Sequence, residues 1–135
     1  MSTSILGMFN YASTMNGEMP QFATVFPVLP GKREQLRTLL KDLAGPRFAE
    51  YDASSKRFGF EKDTQFVLTT PQGVLLIYYA EAADIPGAFR RWALSQDPFD
   101  IWFKQQMKEI TGLDFNHPEG MPLPEQLHKN GFDGR

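Results

Sequence analysis

Arg47 and Tyr51 are the pair of side chains whose types and spacing best suit chemistry on a small molecule. They stand four positions apart in a segment of helical pattern, so they share one helix face. An arginine can hold a carboxylate or an enolate, and a tyrosine hydroxyl can donate a proton. We therefore expect them to meet the polar end of an otherwise apolar ligand. The alternative is a surface arginine beside a tyrosine of the core.

Three further side chains are candidates for the walls of such a ligand site. Tyr79 follows Tyr78 on a predicted strand, so the two rings face opposite sides of the sheet. Glu81 shares the face of Tyr79 and is the acid that strand periodicity would bury. Trp102 lies at the edge of an apolar helix stripe, where it can cover the flat body of a ligand. The alternatives are packing in a core or an interface for the aromatic residues, and solvation for Glu81.

Several other classes of site lack the residues they need. The chain has no Cys, and its two histidines, His117 and His128, both lie near the C-terminus, so we predict no metal site. The glycines form no GxGxxG or phosphate-loop motif, so we predict no nucleotide and no other cofactor. The net charge is −2 and no run of Lys and Arg exceeds a pair, so we expect no nucleic-acid partner.

Length and hydropathy indicate one soluble domain. The chain has 135 residues, of which 41% are hydrophobic, and its 12 Phe suffice for a sizeable core or an aromatic pocket. The longest apolar run, residues 74–80, is far shorter than the roughly 20 residues that span a membrane. No Lys or Arg precedes Lys32, so we expect neither a secretory signal nor a transit peptide, and we predict a cytoplasmic protein.

The apolar spacing and the turn residues divide the chain into two helix pairs and four strands. Asp97 is a good N-cap, Pro98 suits the first helical position, and Asp100 adds an acid where the helix dipole favours one. Residues 1–20 are expected to be a tail or an arm packed on the body or on a partner, 21–116 the folded domain, and 117–135 an extended segment. The predicted elements are a strand at 21–29, kinked helices over 32–58, a hairpin over 64–81, helices from Asp84 with a break at Asp97-Pro98, and a short strand at 113–115.

This order matches the ferredoxin-like βαββαβ pattern, an α+β fold with an antiparallel four-stranded sheet and helices on one face. The strands at 21–29 and 74–81 are apolar on both faces, so the second face also needs a cover. The economical solution is a second copy packed sheet against sheet. The sequence therefore predicts a homodimer, built as a dimeric α/β barrel.

Four stretches carry a resemblance to a known family: FPVLPGK at 26–32, GPRFAEY at 45–51, IYYAEAAD at 77–84, and SQDPFDIWFKQQMKEITGLDF at 95–115. They resemble a family of uncharacterised bacterial dimeric α/β-barrel proteins. That family is similar in fold to the antibiotic-biosynthesis-monooxygenase-like and stress-responsive α/β-barrel proteins. The wider superfamily includes cofactor-independent oxygenases, isomerases, haem-degrading proteins and members without known activity. The haem-degrading members use a helix histidine, and no His occurs within 32–111 here.

Two functions of different classes follow from these residues. The first is a dimeric protein that binds a small apolar or aromatic molecule in an aromatic cavity, with cofactor-independent oxygenation or isomerisation as the chemistry if it is an enzyme. The second is a non-catalytic structural or regulatory dimer whose aromatic residues only pack. A void with converging polar groups favours the first function, and a filled core favours the second.

Overall fold

The computed structural model describes residues 19–131, so most of the predicted N-terminal arm lies outside the described residues. Within this range the fold is α+β, with four α-helices and a three-stranded antiparallel sheet. The elements are β1 (Gln21–Pro27), α1 (Arg33–Ala44), α2 (Phe48–Phe58), β2 (Phe60–Thr70), β3 (Gly73–Ala82), α3 (Ile85–Leu94), α4 (Pro98–Thr111) and a 3-10 turn (Pro118–Gly120).

The sheet is built around β3, in the order β1-β3-β2. Residue 25 of β1 lies opposite Ile77 of β3, and Ile77 lies opposite Phe66 of β2. The predicted hairpin is confirmed, but β2 begins earlier than predicted, because a bulge between Phe60 and Lys62 lets the pairing with β3 continue. This earlier start brings Asp63 into the strand.

Both predicted helix breaks are confirmed. Gly45 and Pro46 separate α1 from α2, and Ser95 to Asp97 separate α3 from α4. All four helices cover the same face of the sheet, since the buried stripes of α1 and α4 pack with the core side of β1 and β3. The core stripe of α1 consists of Leu36, Leu39 and Leu43, and that of α4 consists of Phe99, Phe103, Met107 and Ile110.

The fourth strand that the pattern predicts at 113–115 is not formed among the described residues. The Asp114 side chain accepts a hydrogen bond from the backbone N–H of Asn116 at 3.0 Å, which closes a turn. Phe115 is buried, and its ring lies 5.4 Å from Phe26 and 4.8 Å from Trp92. This part of the chain therefore anchors the core and does not extend the sheet.

The segment after the 3-10 turn has no regular secondary structure as far as residue 131. It is nevertheless attached, because Met121 and Leu123 pack against the core and the Gln126 amide donates to the Gln21 side chain at 2.7 Å. Among residues 19–131 there is no helix with the length and apolarity needed to cross a membrane.

The face of the sheet opposite the helices is apolar and exposed, as the two-faced strands predict. Val25 of β1 is 52% exposed, and Phe66 and Leu68 of β2 are 56% and 46% exposed. Leu75 and Ile77 of β3 lie between them in the paired register. We call this surface the open face. Apolar groups of this size in adjacent rows are typical of an interaction surface.

Asp97 caps α4, as predicted, because its carboxylate accepts a hydrogen bond from the backbone N–H of Phe99 at 3.0 Å. We expect Asp97→Ala to lower the free energy of unfolding by about 1 kcal/mol, the usual cost of losing an N-cap. Urea denaturation of both proteins measures the difference. An unchanged melting temperature for Asp97→Ala would contradict the capping role.

Candidate functional site

A cavity of about 40 Å³ lies between the helices and the sheet. A polar cavity needs roughly 10–15 Å³ to hold one water, so this space suits a group of a few heavy atoms. Nine of the fifteen residues that line it are aromatic. The remaining six are the aliphatic Leu76 and Met107 and the polar Ser54, Ser55, Asp63 and Gln65.

The periodicities of α2 and β2 position the polar side chains of the cavity. Tyr51, Ser54, Ser55 and Phe58 stand at helical spacing and form the cavity face of α2. Alternation along β2 turns Asp63 and Gln65 to the helices, while Thr64 and Phe66 face away. Pairing between β2 and β3 sets Gln65 opposite Tyr78, which adds a second tyrosine to this end of the cavity.

A carboxylate and two tyrosine hydroxyls meet at the polar end. The Tyr51 hydroxyl donates a hydrogen bond to the Asp63 carboxylate. The Gln65 amide donates to the Tyr51 hydroxyl oxygen at 3.4 Å. The Tyr78 hydroxyl also interacts with Asp63. We call Tyr51, Asp63, Gln65 and Tyr78 the polar cluster.

Burial dominates the electrostatics of the polar cluster. It raises the pKa of the Asp63 carboxyl above its usual value, and the nearby Asp52 charge adds to this, although hydrogen bonds from Tyr51 and Tyr78 act in the opposite direction. Burial and the neighbouring carboxylate also hold the pKa of both Tyr51 and Tyr78 well above the usual tyrosine value. Both phenols therefore remain hydrogen-bond donors at neutral pH, and Asp63 is the group that can exchange a proton.

Trp92, one of the residues that line the cavity, has an unpaired polar atom. The residue is 8% exposed, and its indole N–H has no hydrogen-bond acceptor within residues 19–131. An unpaired buried donor typically costs about 1–3 kcal/mol. The indole of Trp92 therefore carries a hydrogen-bond donor that the described residues leave unpaired.

The structure places Tyr51 in the cavity but not Arg47. The Arg47 guanidinium lies over the Trp102 ring at 4.0 Å and pairs with Glu50 at 3.1 Å. Arg47 is the N-cap residue of α2, one turn before the cavity face, and it therefore reaches across to α4. Arg47 and Trp102 contact each other and lie outside the cavity lining.

Tyr79 and Glu81 lie on the open face, away from the cavity. Strand alternation separates them from Tyr78, the tyrosine that faces the helices. The Tyr79 hydroxyl donates to a Glu81 carboxylate oxygen at 2.6 Å. Partial burial and this carboxylate raise the pKa of Tyr79 to about 12. The five residues expected to form one site therefore lie in three places. Tyr51 lines the cavity, Arg47 and Trp102 contact each other between two helices, and Tyr79 and Glu81 lie on the open face.

Sequence reasoning missed Asp63 and Gln65, which complete the polar cluster. A signal was present, because Asp63, Gln65 and Val67 alternate with Thr64, Phe66 and Leu68. If the predicted strand had begun at Asp63, the first side chains on its core-facing side would have been polar and would have stood out in an otherwise apolar core. The residues 19–131 contain no group of three or more His, Asp or Glu side chains that could hold a metal ion.

Comparison with known proteins gives no match for this chain, whether to a family model, to a curated protein or to a solved structure.

Proposed function

We propose that the chain is a small-molecule-binding protein that acts as a dimer and holds its ligand between the helices and the sheet. The observation that carries this proposal is the polar cluster at one end of an aromatic cavity. In a core without a ligand site, buried polar groups form hydrogen bonds with one another and do not border a cavity. Here Asp63 and Tyr51 converge on a void, which is the usual arrangement of a ligand pocket.

The ligand enters with its polar group near β2, between α2 and the edge of the sheet. Tyr51, Asp63 and Gln65 are half-buried, whereas Leu76 and Phe115 deeper in the lining are buried. β2 is also an edge strand, so no further strand covers this side within the described residues. Asp63 is the one charged residue of the lining, and its carboxylate would repel an anionic ligand. Arg47 would have suited an anion, but it lies outside the lining.

The dimer that we propose follows the ferredoxin-like pattern, with a second copy covering the open face. The order of strands and helix pairs supports that pattern up to α4, where a fourth strand would follow. A second copy would bring the same apolar rows of β1, β3 and β2 against this face, as a two-fold interface requires. A dimeric α/β barrel of this kind agrees with the family resemblance of the sequence.

A second candidate function is proton transfer on an enolisable ligand. The observation that favours it is Asp63, a carboxyl with a raised pKa flanked by two tyrosine hydroxyls. In an isomerisation, the carboxylate takes a proton from the carbon beside a carbonyl, a tyrosine donates a hydrogen bond to the enolate oxygen, and the proton returns to another carbon. Oxygenation without a cofactor would start from the same proton abstraction and would consume O2.

The competing function is a non-catalytic structural or regulatory dimer. A substitution that fills the cavity distinguishes this function from ligand binding. Ser55 lines the cavity on α2, and Ala53 is exposed on the same helix. We expect native mass spectrometry to find a bound small molecule on the wild-type protein and on Ala53→Phe, and none on Ser55→Phe. A bare wild-type chain, or a ligand that Ser55→Phe retains, would contradict binding in this cavity.

A further inference from the structure

Asp63 is a half-buried acid without a basic partner in the part of the chain that the structure describes. The charged group that acts on it is Asp52, another acid. The basic side chains of α2 are paired elsewhere, since Lys56 pairs with Asp52 at 2.8 Å and Arg57 with Asp100 at 2.9 Å. A carboxylate withdrawn from water without a cation is costly, so it is either protonated or neutralised by what binds there.

Aromatic rings line the cavity that this acid borders. Tyr51 and Tyr78 both contact it, the Phe103 ring lies 5.8 Å from Tyr51, and the Phe60 ring lies 6.4 Å from Tyr78. Ring faces attract cations because their electrostatic quadrupole is negative there, and ammonium ligands are recognised by such aromatic cages. A carboxylate in a cavity lined mainly by aromatic residues therefore offers a cation two kinds of attraction in the same cavity.

We propose that the group inserted into this cavity is an ammonium, carried by an alkylamine or an arylalkylamine, with Asp63 as its counter-ion. This inference rests on the proposed function, namely that the cavity binds a small molecule. The ammonium donates to the free lone pairs of Asp63, while its carbon substituents pack against the aromatic lining of the cavity. A volume of about 40 Å³ admits an ammonium and the first carbons of its chain, so the remainder of a larger amine stays at the opening.

Three probes of similar shape and different charge test the proposal: butylammonium, 1-butanol and butyrate. Each is titrated into the full-length protein, and backbone NMR shifts at residues 51, 63, 65 and 78 report binding at the polar cluster. We expect butylammonium to bind about tenfold or more tightly than 1-butanol, since a hydrogen bond between charged groups is stronger than a neutral one. Butyrate should not shift these residues.

Asp63→Asn should reduce butylammonium affinity to that of 1-butanol. The matched control is Asp52→Asn, which removes one negative charge from the same region but leaves the cavity lining unchanged. We expect this control to retain most of the preference for the cation. Asp63→Asn should fold, because burial already disfavours the ionised form of the carboxyl that it replaces.

The wild-type protein provides a second measurement. An alkylamine keeps its charge well below a pKa of about 10. Within residues 19–131, the titratable groups that act on Asp63 are Tyr51, Tyr78 and Asp52. The tyrosines stay neutral, and butylammonium affinity should fall as the pH drops through the raised pKa of Asp63. Butanol affinity should not change. A pH-independent affinity for butylammonium would overturn the role of Asp63.

The possible outcomes separate this inference from the proposed function. If 1-butanol or butyrate shifts the polar cluster as strongly as butylammonium, the cavity binds a ligand but the cationic ligand class is wrong. If none of the three probes shifts these residues, the inference and the proposed binding function are both overturned. Equal loss of butylammonium binding in Asp52→Asn and Asp63→Asn would show general charge attraction, and it would overturn the specific pairing.

Discussion

Asp100→Ala is expected to lower the free energy of unfolding by about 3 kcal/mol, because it removes the shared acceptor of three side chains, of which Ser54 is buried. Asp100 is fully buried, although the sequence suggests only an acid that favours the helix dipole. Its carboxylate accepts hydrogen bonds from the hydroxyls of Ser54 and Ser95 and from the Arg57 guanidinium, the last two at 2.6 and 2.9 Å. It therefore joins α2, the break before α4, and α4 itself.

Asp97→Ala is the matched control, since Asp97 lies three residues earlier and mainly caps the helix. Chemical denaturation should give a loss for Asp100→Ala that is clearly larger than the roughly 1 kcal/mol expected for the cap. Arg57 is 40% exposed and can turn to water, so the unpaired Ser54 hydroxyl accounts for much of the difference. Equal losses in the two variants would mean that the buried contacts of Asp100 contribute little.

The pH dependence gives an independent check on Asp100. Burial alone would raise its pKa, but the hydrogen bonds from Ser54, Ser95 and Arg57 outweigh burial and hold the pKa below the usual value. A lowered pKa in the folded state means that the ionised form stabilises the fold. This contribution is fully present above the unfolded pKa of about 3.9 and is lost as the pH falls through the folded value. The stability difference between wild type and Asp100→Asn should shrink over that window.

Local chemistry allowed the helices to be predicted, and non-local pairing explains what was missed. The breaks at Gly45-Pro46 and Asp97-Pro98 depend on caps and proline geometry, which act over one turn. A fourth strand at 113–115 would need a partner edge, and spacing alone does not reveal one. There the Asp114 side chain accepts a hydrogen bond from the backbone of Asn116, so the segment forms a turn and does not pair with the sheet.

The site was only partly predictable for the same reason. Helical spacing identified Tyr51, because the face of α2 is a local property. Asp63 was missed because the predicted strand began at Thr64, and its place beside Tyr51 depends on the pairing of β2 with β3. The contact between Arg47 and Trp102 joins two helices that are far apart in sequence. The periodicity of a single helix cannot indicate that these two side chains contact each other outside the cavity.

Phe66→Asp is expected to convert the dimer that we propose to a monomer. Phe66 lies in the row formed with Val25 and Ile77 on the open face, and it is 56% exposed in the single chain. An acid placed there would be buried without a partner when a second copy covers this face, and such burial costs several kcal/mol. The isolated chain should fold normally, because the substituted side chain faces away from the core.

Light scattering at micromolar concentration measures the outcome. Wild type should have twice the chain mass of 15.4 kDa, and Phe66→Asp should have that mass itself. Leu94→Asp is the control, because Leu94 is 78% exposed at the end of α3 on the helical side. It should remain a dimer, since an acid there meets water in either state. A monomeric wild type would mean that no second copy covers the open face, and a dimeric Phe66→Asp would place the contact on another surface.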